Sequence, residues 1–258
     1  MTPLQIALGL VVGFVAGVFS GLFGVGGGVV TTPAVNVLLG GTAIQAVATP
    51  LPVILPTSIV GAYTYAKAGE ASFRAAGWAA GTGIVGAILG AYLTELVDAH
   101  LLLVVTAVLI AGSAVQVIRG GLPSTPWRLG ETPGWKYAAI GFVAGVVSGL
   151  LGVGGGIVMV PAFTLLVGMP LKRALGTSLV VIAVLVVPGT LVHWSLGNID
   201  WGIFLVLTAG VVPGARIGAR FALGAAERTL RVLVGVFLLA IAVLYGIDEA
   251  VALLGNGG

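Results

Sequence analysis

Cysteine is absent from this sequence, and charged side chains are scarce. Without cysteine there is no disulfide framework, no thiolate metal site and no thiol nucleophile. Lys, Arg, Asp and Glu together form 7% of the 258 residues, whereas a soluble protein usually carries about 25%. So few charges cannot cover the surface of a soluble domain of this size, and lipid is therefore the expected solvent.

Groups that perform catalysis are scarce as well. The chain has eight acids and two histidines, no predicted span shows a buried Asp or Glu, and no GxSxG or HExxH motif occurs. The eleven Lys and Arg residues are scattered over short loops and form no basic patch. We therefore expect no enzymatic activity, no cofactor, no metal site and no nucleic-acid partner.

Apolar residues dominate instead, at 59% of the chain, and the mean hydropathy is +1.19. In lipid, only helices and closed barrels satisfy their own backbone hydrogen bonds. The apolar runs are long and lack the alternation of barrel strands, so the sequence predicts an all-α polytopic membrane protein. No cation precedes Lys67, so the N-terminus is expected to begin a membrane helix rather than a cleaved signal peptide.

The chain contains two copies of one module. Residues 13–33 (GFVAGVFSGLFGVGGGVVTTP) and 141–161 (GFVAGVVSGLLGVGGGIVMVP) are identical at 16 of 21 positions, with an offset of 128. The stretch between the copies, GGLPSTPWRLGETPGW, is polar and rich in Pro and Gly. We expect an N-terminal transmembrane repeat at 1–120, a cytoplasmic connecting loop at 121–134 and a C-terminal transmembrane repeat at 135–250.

Each half divides into five apolar segments. The predicted segments are 4–22, 29–40, 43–66, 74–95 and 100–118 in the first half, and 136–150, 157–168, 174–194, 201–221 and 231–247 in the second. A full crossing needs about 20 residues, and the second segment of each half has about 12. Whether segments 29–40 and 157–168 cross the membrane or re-enter it is left open, because both follow a glycine-rich break.

Lys and Arg mark one side of the membrane. All eleven lie in or near loops that share one side if the ten segments alternate, and the opposite loops hold Asp, Glu and His. By the positive-inside rule, this distribution predicts a multi-pass protein of the plasma (inner) membrane with both termini outside. Each module then has an odd net number of crossings, so the copies are expected to be inverted repeats, as in many secondary transporters.

A glycine motif that occurs once in each half is the strongest candidate site. It reads SGLFGVGGG at 20–28 and SGLLGVGGG at 148–156. Consecutive glycines disfavour a continuous helix, and a helix that restarts after them directs unpaired N–H groups and its positive dipole end toward an anion. The alternative is that the glycines only allow close helix packing. The predicted substrate-binding glycines are Gly24, Gly26, Gly27, Gly28, Gly152, Gly154, Gly155 and Gly156.

Three hydroxyl groups and one arginine complete the candidate site. Thr177 and Ser178 lie in Ala-Leu-Gly-Thr-Ser at 174–178, and Thr49 is the counterpart of Thr177 in the first half. These hydroxyls can donate to an oxyanion without burying a charge; equally, they can cap a helix or bond to the backbone. Arg216, four residues before Arg220 on one face of the ninth segment, is predicted to attract an anion from the cytoplasm.

These motifs resemble the TauE/SafE family of sulfite and organosulfur-anion exporters. The resemblance rests on the doubled glycine motif with its following proline, on 174–178 and on Gly-Asn-Ile-Asp-Trp at 197–201, and it covers nearly the whole chain. The first half departs from it at Thr49-Pro50, where the family often has Thr-Ser. The resemblance implies export of small sulfur oxyanions such as sulfite or sulfonates, driven by an ion gradient.

A secondary transporter that moves a small anion by alternating access is therefore the leading hypothesis. Its expected partners are a small sulfite- or sulfonate-type anion, the lipid bilayer, a coupling proton or sodium ion, and a second copy of the chain in a homodimer. A passive anion channel and a membrane scaffold without transport remain alternatives. Saturable, gradient-coupled flux in vesicles separates the carrier from the pore, and binding of an oxyanion separates both from the scaffold.

Overall fold

The computed structural model describes residues 2–93, 111–112, 114–115, 117–119, 127, 132–151 and 155–255. Within these ranges the ordered elements are all helices and no strand occurs. In the first half the helices are α1 Pro3–Phe23, α2 Gly28–Val37, α3 Ala43–Ala48, α4 Pro50–Lys67 and α5 Phe73–Leu93. In the second half they are α6 Gly134–Leu151, α7 Gly156–Val167, α8 Leu171–Ser195, α9 Trp201–Gly224 and α10 Glu227–Gly255. The predicted all-α fold is confirmed.

The helix boundaries follow the apolar segments closely, with one division. The predicted segment 43–66 is interrupted at Thr49, where α3 ends and Pro50 begins α4 as its first residue. Proline suits that position because the first N–H of a helix has no intrahelical acceptor. The predicted segment 100–118 lies mostly outside the described residues, and the described positions between 111 and 119 are helical.

Four helices in the described part of the chain are long and apolar enough to cross a membrane. They are Pro3–Phe23, Leu171–Ser195, Trp201–Gly224 and the span Ile44–Lys67, which α3 and α4 form together. By contrast, α2 has 10 residues and α7 has 12, well short of the roughly 20 that a crossing needs. The chain is thus a multi-pass membrane protein in which the helix after each glycine motif is short, as the sequence predicts.

The two halves pack so that helices of one half have their most extensive contacts with helices of the other half. The most extensive helix contacts among the described elements join α1 to α9 and α5 to α6, followed by α4 to α8. At the repeat offset of 128, α1 corresponds to α6 and α5 to α9. The first helix of each half therefore packs on the fourth apolar segment of the other half. This exchange makes the repeats one interlocked unit rather than two separate bundles.

Glycines allow these exchanged helices to touch backbone to backbone. On α1 and α9, a Cβ atom at any of six glycines would overlap a carbonyl oxygen of the facing helix: Gly13, Gly17, Gly21, Gly210, Gly214 and Gly218. Gly86, Gly90, Gly141 and Gly145 make the corresponding contacts between α5 and α6. Small residues at such spacing let membrane helices approach closely. Close packing is therefore the role of these ten glycines within the helices.

Candidate functional site

The first glycine break joins α1 to α2 and needs glycine for its backbone conformation. Gly24 ends α1 with φ +68°, and its N–H donates to the Ser20 carbonyl at 2.8 Å. Gly26 and Gly27 both have φ of +85°, and α2 begins at Gly28. Side chains disfavour these positive φ values. The sequence Gly-Val-Gly-Gly-Gly is thus a sharp reversal between two helices, as the glycine motif predicts.

The second break has the same helix start. Gly155, with φ +71°, precedes α7 as Gly27 precedes α2. The Gly155 carbonyl accepts from the Met159 N–H at 3.1 Å, and the Gly27 carbonyl accepts from the Thr31 N–H at the same distance. Gly152 and Gly154 lie outside the described residues. The repeated sequence therefore forms a repeated helix N-terminus where both copies are described.

The two breaks touch each other in the interior of the protein. A Cβ atom on Gly156 would lie 2.6 Å from the Gly24 carbonyl oxygen and 2.7 Å from the Val25 Cα. Ile182 of α8 flanks the contact, because its methyl groups lie against both Gly156 and Gly26. Every residue from Ser20 to Gly28 is buried. The structure thus brings Gly24, Gly26 and Gly156 into one closely packed junction.

Backbone donors remain unpaired at this junction. Among the described residues, the N–H groups of Gly27, Gly28, Gly155 and Gly156 have no hydrogen-bond acceptor. The first N–H groups of any helix lack intrahelical acceptors, and a buried donor without an acceptor costs about 1–3 kcal/mol. An anion placed between the starts of α2 and α7 would supply the missing acceptors and meet the positive ends of two helix dipoles.

Ser20 is a further candidate that the sequence analysis did not select. Its side chain is fully buried, and its Oγ has no hydrogen-bond partner in the described structure. The space that a Cβ atom on Gly27 would occupy lies 3.6 Å from the Ser20 Cβ. The motif contained the signal, since Ser20 and Ser148 occupy equivalent positions before the two breaks. A free hydroxyl beside the break can donate to the same anion.

Ser178 holds the first break in place. Its Oγ lies 2.9 Å from the Gly24 carbonyl oxygen and 2.8 Å from that of Leu175, and it donates its proton there. The predicted donation from Ser178 to an oxyanion is therefore not made in this state, because a protein carbonyl already accepts the proton. Pro50 occupies the equivalent position in the first half and has no hydroxyl. This link exists in one copy of the module only.

Thr49 and Thr177 connect the halves in a symmetric way. The Thr177 Oγ1 accepts from the Ser72 N–H at 3.0 Å, and the Thr49 Oγ1 accepts from the Asp200 N–H at 3.1 Å. Ser72 and Asp200 are themselves equivalent residues, each just before a long helix of the opposite half. Both threonines are fully buried, and their protons have no acceptor among the described residues. Each hydroxyl oxygen thus accepts a hydrogen bond that links the halves, and each hydroxyl proton is still available to donate.

Arg216 is not brought to the glycine junction. It is exposed on α9, on the face opposite to Gly214 and Gly218, which pack against α1. Residues two positions apart on a helix point to nearly opposite sides. Its surroundings are a groove between α4 and α9 rather than the breaks. The predicted role of Arg216 as the attractor of the junction anion therefore finds no support in its position.

A helical membrane protein with a duplicated glycine break at its centre has the form of a membrane transporter, and comparison with known proteins agrees. The family model described as sulfite exporter TauE/SafE matches residues 9–245. The chain therefore belongs to the TauE/SafE family. The family assignment made from the motifs is confirmed, and the protein is a membrane transporter.

Several curated relatives carry transporter names. The chain is 27% identical to the probable membrane transporter protein YunE of Bacillus subtilis over 81% of this chain and 86% of YunE. It is also 27% identical to a probable membrane transporter protein of Xylella fastidiosa, covering 90% of this chain and 91% of that one. A probable membrane transporter protein of Methanocaldococcus jannaschii is 23% identical over 91% of this chain. No solved structure matches the chain significantly.

Proposed function

We propose that this chain is a secondary-active exporter of small sulfur-containing anions, such as sulfite or organosulfonates, and that it works by alternating access. The observation that carries the proposal is the contact between the two glycine breaks, where Gly156 lies against Gly24 and Val25. The start of α7 meets the first break there, just before α2 begins, and the starts of both short helices have unpaired N–H groups. The family description, which names sulfite export, supports the proposed substrate class.

The proposed anion site consists of hydrogen-bond donors without a fixed positive charge. The N–H groups at 27–28 and 155–156 form its two ends, and the hydroxyls of Ser20, Thr49 and Thr177 are the side-chain donors. Gly24 and Gly26 give the first break its backbone shape, and Gly152 and Gly154 are their counterparts in the sequence of the second. Neutral donors suit an anion that must also leave, because a permanent ion pair at a buried site would hold it too strongly.

The duplicated architecture supports the proposal of alternating access. Inverted repeats around a central site give transporters two related conformations, in which the same site opens to opposite sides. The exchanged packing of α1 on α9 and of α6 on α5 supports such a plan, because the two pairs are equivalent under the repeat. We further propose that a proton or sodium gradient drives export, that both termini are extracytoplasmic and that the chain forms homodimers.

Reconstituted vesicles test this function directly. The purified protein is placed in liposomes loaded with sulfite, thiosulfate, sulfoacetate, sulfolactate or taurine, and efflux is measured with and without proton or sodium gradients. Saturable efflux of at least one anion that increases with a gradient is the expected result. Conductance that does not saturate would indicate a pore, and no flux together with no ligand-induced thermal shift would indicate a scaffold.

A further inference from the structure

A groove runs between the outer faces of α4 and α9. Its volume is about 990 Å³, and most of its wall is apolar, formed by residues such as Ile59, Val60, Val212 and Ile217. The C-terminal parts of α4 and α9 lie at the same end of the groove, where Lys67 and Arg220 both line it. The groove is therefore apolar along its length and basic at one end.

The basic end has three cations and no acid. Lys67, Arg216 and Arg220 line the groove, and none of its lining residues is Asp or Glu. The Lys67 ammonium lies 4.9 Å above the centre of the Tyr63 ring. Neither arginine has a hydrogen-bond or ion-pair partner among the described residues. Two exposed, unpaired guanidinium groups beside an apolar surface are complementary to an anionic group attached to an apolar body.

The position of Arg216 is not explained by its helix end. A cation in the last turn interacts favourably with the helix dipole, but α9 has no basic residue in its last turn. Arg216 precedes the end of α9 at Gly224 by about 12 Å of helix. A guanidinium on an exposed face of a spanning helix extends its charge to the headgroup region or meets a counter-charge.

The internal repeat acts as a control for what the fold requires. At the repeat offset of 128, the positions equivalent to Lys67, Arg216 and Arg220 are Ser195, Ile88 and Tyr92. The helices that carry them, α8 and α5, pack against each other as α4 and α9 do. The same architecture therefore forms without any cation at these three positions. The packing of the helix pair therefore does not require the three cations, which lie on the side of the membrane where the other Lys and Arg residues are expected.

We propose that the groove between α4 and α9 binds an anionic phospholipid. The acyl chains lie along the apolar wall, and the headgroup phosphate contacts Arg216, Arg220 and Lys67. Basic pockets between membrane helices recognise anionic headgroups in this way. A lipid fits better than a free anion because the groove is open along exposed, apolar helix faces, which a soluble ion would not fill. The site is distinct from the glycine junction, because Arg216 faces away from it.

Native mass spectrometry of the purified transporter tests this inference. The protein is incubated in detergent with phosphatidylglycerol or with phosphatidylcholine of the same acyl chains, and the retained lipid is counted. The test variant is Arg216→Gln with Arg220→Gln. The matched control is Arg74→Gln with Arg228→Gln, which removes two charges outside the groove. A fluorescent tag at the C-terminus reports that orientation and yield are equal.

Wild type and control are expected to retain phosphatidylglycerol in clear preference to phosphatidylcholine. The test variant is expected to lose roughly tenfold or more of that preference, because two contacts with the headgroup charge are removed. Equal retention of the two lipids by wild type would overturn the proposal, as would equal losses in the test and control variants. Displacement of the lipid by millimolar sulfite would assign the groove to substrate instead and would also overturn it.

Discussion

Gly156 at the start of α7 lies against the carbonyl oxygen of Gly24 at the end of α1, where a Cβ atom would come within 2.6 Å of that oxygen. The two residues are in different copies of the repeat. Their contact joins the two glycine breaks directly, without a side chain between them. A methyl group at Gly156 would separate the breaks or displace Ile182, whose methyl lies 2.7 Å from the same point.

The first prediction follows from this contact. Gly156→Ala is expected to abolish efflux, since the added methyl group would push the start of α7 away from Gly24 and Val25 in the first break. Gly81→Ala is the control, because a Cβ atom there meets nothing within 4 Å; replacing this helical glycine should stabilise the fold by about 0.5–1 kcal/mol. Efflux from proteoliposomes, at matched protein insertion, is the measurement. Full efflux by Gly156→Ala would show that the junction is not the transport site.

Loss of the hydroxyl group is predicted to affect anion binding at Ser20 and protein stability at Ser178. Ser20→Ala removes a buried hydroxyl that has no hydrogen-bond partner, so it should raise the KM for the transported anion without lowering thermal stability. Ser178→Ala removes the donor to the Gly24 carbonyl and should lower the free energy of unfolding by about 1 kcal/mol. Thermal unfolding with and without substrate separates the two effects. A destabilised Ser20→Ala with unaltered KM would remove Ser20 from the site.

The hydrogen bonds of Thr49 and Thr177 between the halves are predicted to stabilise the fold. Thr177→Val and Thr49→Val keep the volume but leave the Ser72 and Asp200 N–H groups without their acceptors. Each should lower stability by about 1–3 kcal/mol, as is typical for an unsatisfied buried group. Threonine to serine at either position retains the oxygen and serves as the control. Stability equal to wild type in both valine variants would argue against these links as structural contacts.

The backbone contacts of the exchanged helices predict equal sensitivity at equivalent positions. Gly214→Leu and Gly86→Leu each place a side chain on a carbonyl of the facing helix, in α1 and α6 respectively. Both should cost about 3 kcal/mol or more, since close packing cannot accommodate the added volume. Gly77→Leu, where nothing lies within 4 Å, is the control. Yield of monodisperse protein after detergent extraction is the measurement, and tolerance of either test variant would contradict the observed packing.

Much of this fold could be predicted from the sequence because lipid imposes a simple rule on helix length. The segment 157–168 corresponds to α7 at Gly156–Val167, and 201–221 to α9 at Trp201–Gly224. The glycine breaks could be predicted for a different reason: consecutive glycines disfavour a helix. The structure shows φ of +85° at Gly26 and Gly27, a value that other residues adopt only with strain. Composition and repetition therefore determine where helices begin and end.

The partners of each helix could not be predicted in this way. Apolar residues surround the spanning helices on most sides, so hydrophobic periodicity did not indicate that α1 faces α9. The glycines at 13, 17 and 21 marked that face, but their spacing alone does not name the partner. For the same reason, the sequence could not show that the Arg216 side chain faces away from the glycine junction, because this depends on which face of α9 packs inward. The contacts of Thr49 and Thr177 needed the structure because their donors are distant in sequence.

The location of a bound anion tests the central claim most directly. Selenite is a close chemical analogue of sulfite, and its selenium can be located by anomalous diffraction from crystals of the transporter. The predicted result is one selenium peak within hydrogen-bonding distance of the N–H groups at 27–28 and 155–156, lost in Gly156→Ala and retained in Gly81→Ala. A selenium peak at Arg216 and Arg220 instead, with none between the glycine breaks, would contradict the proposed site.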